Sequence, residues 1–348
     1  MASPVLYVGL MFVAALISGG LVRFLQRYAT GLESVGATAY AAPRGGGLAI
    51  LVVVLLIFMP MGLAQSDPSQ IVRYSVAAAM IAFIGFFEDL RALPRPLRIL
   101  AQSLAALIFV PAAPIQVIDL PFMTLYFGTV PSYLISVVWL VGLTNVYAYM
   151  DGINGLASGQ AVLAGSLWAG IGMALGKPAV TLLGMLIAGG SLGFLMYNLP
   201  PQSIFLGDVG STFLGFSLAA LPMLAIGPGD PSRLYVSGGL IMSLFVFDAG
   251  LTLFRYLFAG GSMRREDRSH LYQRLVALGD SPLRVTFLYL MLSTGFGIAG
   301  LIYWWSASAS ALVFVGMVCL TLFAWITRRE TRHTAEPPRT PLENSKPS

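Results

Sequence analysis

Charge is scarce in this chain. Of 348 residues only 10% are Asp, Glu, Lys or Arg, against 57% hydrophobic, and the mean hydropathy is +0.81. Soluble domains carry about 25% charged residues. A chain this poor in charge lacks the polar surface to stay dispersed in water and reads as a polytopic membrane protein. Cysteine is reduced to Cys319, which excludes an intrachain disulfide and any cysteine-built metal cluster. Histidine is limited to His270 and His333, too few for a zinc centre. No basic residue precedes the first apolar run. That run also exceeds the roughly 7–15 apolar residues of a signal-peptide core, so it is read as a span. No internal repeat is visible, which weighs against an inverted-repeat transporter.

Long apolar runs are what the chain has instead. A bilayer crossing takes about 17–25 apolar residues. Eleven runs approach that length: 4–25, 46–64, 71–87, 97–114, 131–149, 157–174, 179–197, 210–228, 234–255, 283–303 and 308–327. The expectation is an all-α polytopic membrane protein with about 11 transmembrane helices and short loops. Residues 1–327 form one multi-span domain, with a basic loop at 256–281 inside it and a polar, proline-bearing tail at 328–348 read as disordered. The segment "IQVIDLPFMTLYFGT" (115–129) alternates loosely and can pair as a small hairpin.

Orientation follows from the basic residues. With the N-terminus outside and the spans alternating, only Arg73, Lys177 and Arg233 of the 20 Lys and Arg residues fall on the outer side. This asymmetry predicts N-out and C-in. It also gathers the polar motifs at the inner face: "AAPRGGG" (41–47), "FFEDLRALPRPLR" (86–98), "NVYAYMDGING" (145–155), "YNLPPQSIFLGDVGS" (197–211) and "RREDRSHLYQRL" (264–275). The spans starting at 46, 97, 157 and 210 all begin at that face. Helix N-termini carry unpaired N–H groups and partial positive charge, so four of them together suit phosphate. Asn154 and Ser211 are candidate N-caps. Any one glycine-rich turn is explained by the needs of a short loop; several with interspersed carboxylates on one face point to a site.

The acidic set is Glu88, Asp89, Asp151 and Asp208. Carboxylates beside a phosphate ligand suit Mg²⁺, or Mn²⁺, held by one or two carboxylates plus phosphate oxygens. Asp208, in "FLGDVGST", is the leading ligand candidate. Glu88 and Asp89 diverge by about 100° on a helix, so they are not expected to chelate one ion together. One can position or deprotonate a nucleophile while the other pairs with Arg91 or Arg98. His270 and Arg274, with Arg265 and Arg268 nearby, can close over an anionic head group or lie on a membrane surface. Asp248, late in the ninth run, is either a structural polar contact or a participant.

These motifs, in order over residues 40–275, resemble those of the bacterial polyprenyl-phosphate N-acetylhexosamine-1-phosphate transferases. "PRGGGLAI" resembles the family's first inner loop. "GFFEDLRALPRPLRILAQ" resembles its paired-acid motif, with Arg98 and Gln102 following. "NVYAYMDGINGLASG" resembles an Asn-rich Asp-Gly motif, with Ala148 and Asn154 as departures. "FLGDVGSTFLGF" matches the metal-binding loop, and "RSHLYQRL" resembles the histidine loop. The resemblance implies transfer of a sugar 1-phosphate from a UDP-N-acetylhexosamine to undecaprenyl phosphate at the inner face of the bacterial cytoplasmic membrane. It implies no nucleic acid partner, and a homodimer is compatible with it.

The resemblance further assigns catalysis to Glu88, Asp89, Asp151 and His270, and metal binding to Asp208 and Asp151. Substrate contacts fall to Arg44, Arg98, Asn145, Asn154, Phe205, Arg265, Arg268 and Arg274. A phosphate monoester is mostly dianionic at pH 7, its second pKa being about 6. The paired acids are therefore expected to position the lipid phosphate more than to deprotonate it. One-step and covalent routes both stay open. The competing reading is a secondary transporter or lipid flippase for an anionic substrate. It places its carboxylates near mid-membrane rather than at one face.

Overall fold

The structure is a computed structural model and describes residues 4–32, 45–91, 93–200, 204–226, 232–258 and 270–335. The helices in chain order are α1 (Pro4–Leu32), α2 (Gly47–Leu63), α3 (Pro68–Leu90), α4 (Arg95–Phe109), α5 (Thr129–Tyr149), α6 (Leu156–Leu175), α7 (Pro178–Asn198), α8 (Gly207–Ala225), α9 (Arg233–Ile241), α10 (Ser243–Phe258), α11 (Leu271–Ala277), α12 (Pro282–Ser306) and α13 (Ala309–Ala335). Between α4 and α5 lies the expected hairpin. Its strands β1 (Val117–Leu120) and β2 (Met123–Tyr126) pair antiparallel with Val117 opposite Tyr126. The Tyr303 hydroxyl ties the hairpin to α12 by donating to the Asp119 carbonyl at 2.8 Å.

Among the described residues, nine helices are long and apolar enough to cross a membrane, or ten if a bent pair counts as one span. The expected eleven runs all coincide with helices, but two depart from a simple span. Helix α2 is shorter, at 17 residues. The ninth run is not one helix: α9 and α10 meet at 75°. Backbone freed at such a break must find partners inside the protein, because hydrocarbon offers none. Here Gln160 Nε2, buried on α6, donates to the Ile241 carbonyl at 3.0 Å.

Helix starts follow local chemistry. Asp67 accepts the Ser69 N–H at 2.9 Å, with Pro68 in the first turn of α3. Ser281 and Pro282 open α12 the same way. The last helix runs past the expected boundary. Residues 328–335, read as disordered tail, continue α13, because Glu330 pairs with Arg274 and Arg329 with Asp280. Residues 336–348 lie outside the described residues.

Every helix here is apolar, so hydrophobicity alone does not decide which ones are central. Burial separates them: 94% of the α8 span and 83% of the α7 span are inside the protein, against 22% for α1. The outer helices turn large apolar side chains such as Leu16, Met291 and Met317 outward, as lipid-facing surfaces do. In lipid, helices associate through close packing of small residues more than through water exclusion. Gly165 of α6 lies against Gly184 of α7, Gly193 of α7 against α1, and Gly47 of α2 against Gly210 of α8. At this last contact a Cβ on Gly47 would overlap the Gly210 Cα, and backbone cannot move aside as a flexible side chain does.

Gly47→Ala is therefore expected to cost on the order of 1–3 kcal/mol through overpacking. It should lower the temperature at which the purified protein inactivates. Gly142→Ala, in α5, meets open space and should leave that temperature unchanged. Equal inactivation curves for Gly47→Ala and the parent would show that α2 and α8 do not meet at these glycines.

Candidate active site

The polar ends of the helices converge at one end of the bundle. Helix α3 delivers Glu88 and Asp89 in its last turn. The Asp89 carboxylate reaches across to the start of α8, where Oδ1 accepts the Asp208 N–H at 2.9 Å and Oδ2 the Val209 N–H at 3.0 Å. A carboxylate on helix N-terminal N–H groups makes charge-assisted bonds, each on the order of 1.5–3 kcal/mol. The join needs Gly207. Its φ of +78° favours glycine, and a Cβ there would lie 2.7 Å from Asp89 Oδ2. Helix α2 enters the same junction: the Gly46 and Gly47 N–H groups donate to the Phe205 and Leu206 carbonyls, each at 2.9 Å.

Asp89, Ala148, Asp151, Phe205, Gly207, Asp208 and Ser211 line a cavity of about 280 Å³ at this junction. Asp151, in the turn between α5 and α6, is half-buried. Its pKa is raised well above the ordinary carboxylate value, first by burial and then by the charges of Asp208 and Asp89. Three acids therefore share one small space.

Among the described residues no three His, Cys, Asp or Glu side chains form a ready-made metal cage. Asp89 is engaged by two backbone donors, which leaves Asp151 and Asp208 as the cavity's other carboxylates. Mg²⁺ is commonly held by one or two carboxylates and completed by water and substrate phosphates. Burial and the neighbouring charges of Asp208 and Asp89 both disfavour the Asp151 carboxylate, and a bound cation would favour it. The donor set thus fits Mg²⁺ brought together with an anionic ligand, and does not fit a preformed metal cage.

Two of the expected cationic groups, Arg98 and Arg274, are already partnered. Arg98 pairs with Glu88 at 3.0 Å, donates to Asn145 Oδ1 and lies 5.8 Å over the Tyr149 ring. Asn145 donates in turn to Gln102 Oε1. Glu88 therefore belongs to a buried network beside the cavity, and Asp89 belongs to the cavity wall. His270 precedes α11 and stacks against Tyr149, the residue two before Asp151, with ring centroids 6.0 Å apart. Arg274 points elsewhere: it is buried and bonds Glu330 on α13. Phe205 is 40% exposed beside the cavity. Asn154 accepts the Thr286 hydroxyl at its backbone carbonyl. Arg44, Arg265 and Arg268 lie outside the described residues.

Two expectations about helix ends are corrected. Asn154 does not cap α6; Asn198 Oδ1, from the end of α7, accepts the Gly155 N–H at 2.7 Å. Ser211 does not cap α8, which begins at Gly207 and places Asp208 in its first turn. At the starts of α2, α6 and α8, opening N–H groups are therefore met by the chain itself. Sequence reasoning missed Asn198 and Tyr149. Both sit in the polar motifs, but neither is an acid or base that ionises near neutral pH.

A polytopic helical bundle with a carboxylate-lined chamber at one end defines an integral membrane protein whose polar site is built at the helix ends. The family model for glycosyl transferase family 4 matches residues 71–226, the stretch that supplies every wall of the cavity. A Bacillus subtilis (strain 168) protein named probable undecaprenyl-phosphate N-acetylglucosaminyl 1-phosphate transferase is 31% identical over 253 residues, 72% of this chain and 70% of that protein. The decaprenyl-phosphate N-acetylglucosaminephosphotransferase of Mycobacterium leprae (strain TN) is 29% identical over 82% of this chain and 79% of its own length. A phospho-N-acetylmuramoyl-pentapeptide-transferase of Desulforamulus reducens is 27% identical over 84% of this chain and 93% of its own length. The chain belongs to glycosyl transferase family 4.

The crowding of acids gives a signed expectation for Asp151→Asn in metal-free buffer. A carboxyl whose folded pKa is raised binds its proton more tightly in the native state. Its ionisation therefore costs stability as pH rises above the unfolded value of about 3.9. The asparagine variant should melt higher than the parent at about pH 7.5, with the gain shrinking as the pH approaches about 4. Thermal melts with a chelator present would check this. A parent that melts as high as the variant at about pH 7.5 would contradict the electrostatic reading of the cavity.

Proposed function

We propose that the protein transfers an N-acetylhexosamine 1-phosphate from a UDP-sugar to undecaprenyl phosphate, releasing UMP, and so initiates O-antigen, capsule or related envelope glycan synthesis. The observation that carries this reading is the convergence of Asp89, Asp151 and Asp208 on one cavity at a single end of a membrane bundle. A transporter built on coupling carboxylates near mid-membrane is not favoured by that placement. The asymmetry of basic residues supports a cytosolic location for this end, with the N-terminus out and the C-terminus in. Counting α2 and the bent α9–α10 pair as spans gives the eleven crossings such an orientation needs. The protein then sits in the bacterial inner membrane.

In the proposed reaction an oxygen of the lipid phosphate attacks the sugar-bound phosphorus of the nucleotide sugar. The bond from that phosphorus to the oxygen of UMP breaks, and UMP leaves with the bonding electrons. The lipid phosphate is already dianionic for the most part near pH 7, with a second pKa of about 6, so a strong general base is not required. The main barrier is bringing two anions together in an acidic chamber. Bound between Asp151, Asp208 and the substrate phosphates, Mg²⁺ or Mn²⁺ would neutralise charge on the pyrophosphate. Asp89 holds the start of α8 in place, and so sets where Asp208 stands. Glu88 and Asn145 hold Arg98 over Tyr149, beside the turn that carries Asp151. Arg44, Arg265 and Arg268 are assigned to the anionic substrate, with Asn154, Phe205 and His270 completing its surroundings. The bilayer keeps the prenyl chain while its phosphate meets the water-borne donor.

The test is purified protein with undecaprenyl phosphate, Mg²⁺ and a panel of donors. The panel includes UDP-N-acetylhexosamines and a UDP-muramoyl-pentapeptide. Labelled lipid diphosphosugar and UMP should form with an N-acetylhexosamine donor, without any ion gradient. Asp208→Asn should lose at least roughly 10²-fold in rate. Product only from the muramoyl-pentapeptide would assign the related reaction. No product from any donor would defeat the transferase reading and return the transporter to first place.

A further inference from the structure

Asp248 has no part in the chemistry above, yet it is fully buried at 0% exposure on α10. Both of its oxygens are engaged. Oδ1 accepts the Leu271 N–H at 2.7 Å; Oδ2 accepts the Tyr272 N–H at 3.2 Å and the Tyr289 hydroxyl at 2.7 Å. It therefore ties the start of α11 to α10 and α12. His270 stands at that start, and its Nδ1 lies 3.3 Å from Asp248 Oδ1.

The surroundings of the ring bear on its tautomer. The second neighbour of Nδ1 is Thr252 Oγ1, at 3.4 Å. The single hydroxyl hydrogen of Thr252 is donated to the Asp248 carbonyl at 2.9 Å, so its oxygen meets the imidazole as an acceptor. The Asp248 carboxylate is an acceptor as well. The Gln273 N–H also faces the His270 side chain in a capping box, but the anionic carboxylate is the stronger partner of Nδ1; a proton on Nδ1 leaves Nε2 as the atom to meet a ligand. The ring plane is set by stacking against Tyr149 at 27° and Tyr272 at 12°. Tyr272 donates its hydroxyl to the Tyr149 carbonyl at 3.2 Å. The histidine is thus fastened to the turn that leads into Asp151.

We propose that Asp248 is the positioning residue for His270. It fixes the ring through Nδ1 and so turns Nε2 towards the anionic substrate. This rests on the transferase reading for the identity of the ligand, but the pairing itself is observable without substrate. Histidine occurs only at positions 270 and 333, so His333→Ala leaves a single imidazole to observe.

Nitrogen-15 NMR of histidine-labelled His333→Ala protein in bilayers should show Nδ1 of His270 protonated. Asp248→Asn should shift the ring towards the Nε2–H tautomer. In the transfer assay it should lower kcat roughly tenfold to a hundredfold, with a much smaller change in the KM for the UDP-sugar. Tyr289→Phe removes a different partner of Asp248 and should leave the imidazole signals in place. A wild-type Nδ1 without a proton overturns the proposal, and so do His270 signals that are the same in Asp248→Asn. The wild-type spectrum decides the matter even if Asp248→Asn fails to fold. Because the spectrum needs no turnover, a protein inactive on every donor would still report whether Asp248 holds the ring.

Discussion

The carboxylate of Asp89, at the last turn of α3, accepts the opening N–H groups of α8, and the geometry of the cavity follows from that join. An α-helix begins with N–H groups that have no partner within the helix. In an apolar bundle they must be answered by another part of the chain. Because the answer comes from α3, two helices far apart in sequence are pinned together at this end. Asp208 sits at the joined point, and the Gly47–Gly210 contact brings α2 against the same corner.

Using an acid as the clamp has an electrostatic consequence. Asp89 brings a negative charge to a chamber that already holds Asp151 and Asp208, and the charges on Asp208 and Asp89 help raise Asp151. Arg98 does not relieve this, because it is bound to Glu88 and Asn145. The N-termini of α8, α6 and α2 do little more, being met by Asp89, by Asn198 and by the carbonyls of Phe205 and Leu206. Among the described residues the lining of the cavity is acidic where phosphate is expected to bind. A cation arriving with the ligand would answer that charge, as Mg²⁺ and nucleotide diphosphates usually travel together.

Much of this was legible before any coordinates. Hydropathy marked the helices, and the polar motifs named Asp89, Asp151 and Asp208, which do share a cavity. The pairing of one of the adjacent acids with Arg98 was foreseen, although which acid was not: both lie on the last turn of α3, and only the approach of α8 separates their roles. The break between α9 and α10 was hidden because apolar residues run on through it; what supports it is Gln160, far away on α6. The caps of α6 and α8 were misassigned to Asn154 and Ser211 for the same reason. The residues that satisfy those ends, Asn198 and Asp89, come from other helices, and local pattern carries no record of them. The extension of α13 through 328–335 likewise depends on Arg274 and Asp280, which composition alone reads as charges in a basic loop.

The link between Gln160 and Ile241 bears on how the bundle can move. A corner whose loose carbonyl is already claimed has no spare bond to exchange when it unbends. Straightening it would leave a side-chain amide stranded in hydrocarbon, at a cost of several kcal/mol. The elbow therefore behaves as a bracket and not as a swivel. Any breathing around the acidic chamber is cheaper in the turns between helices than along their axes.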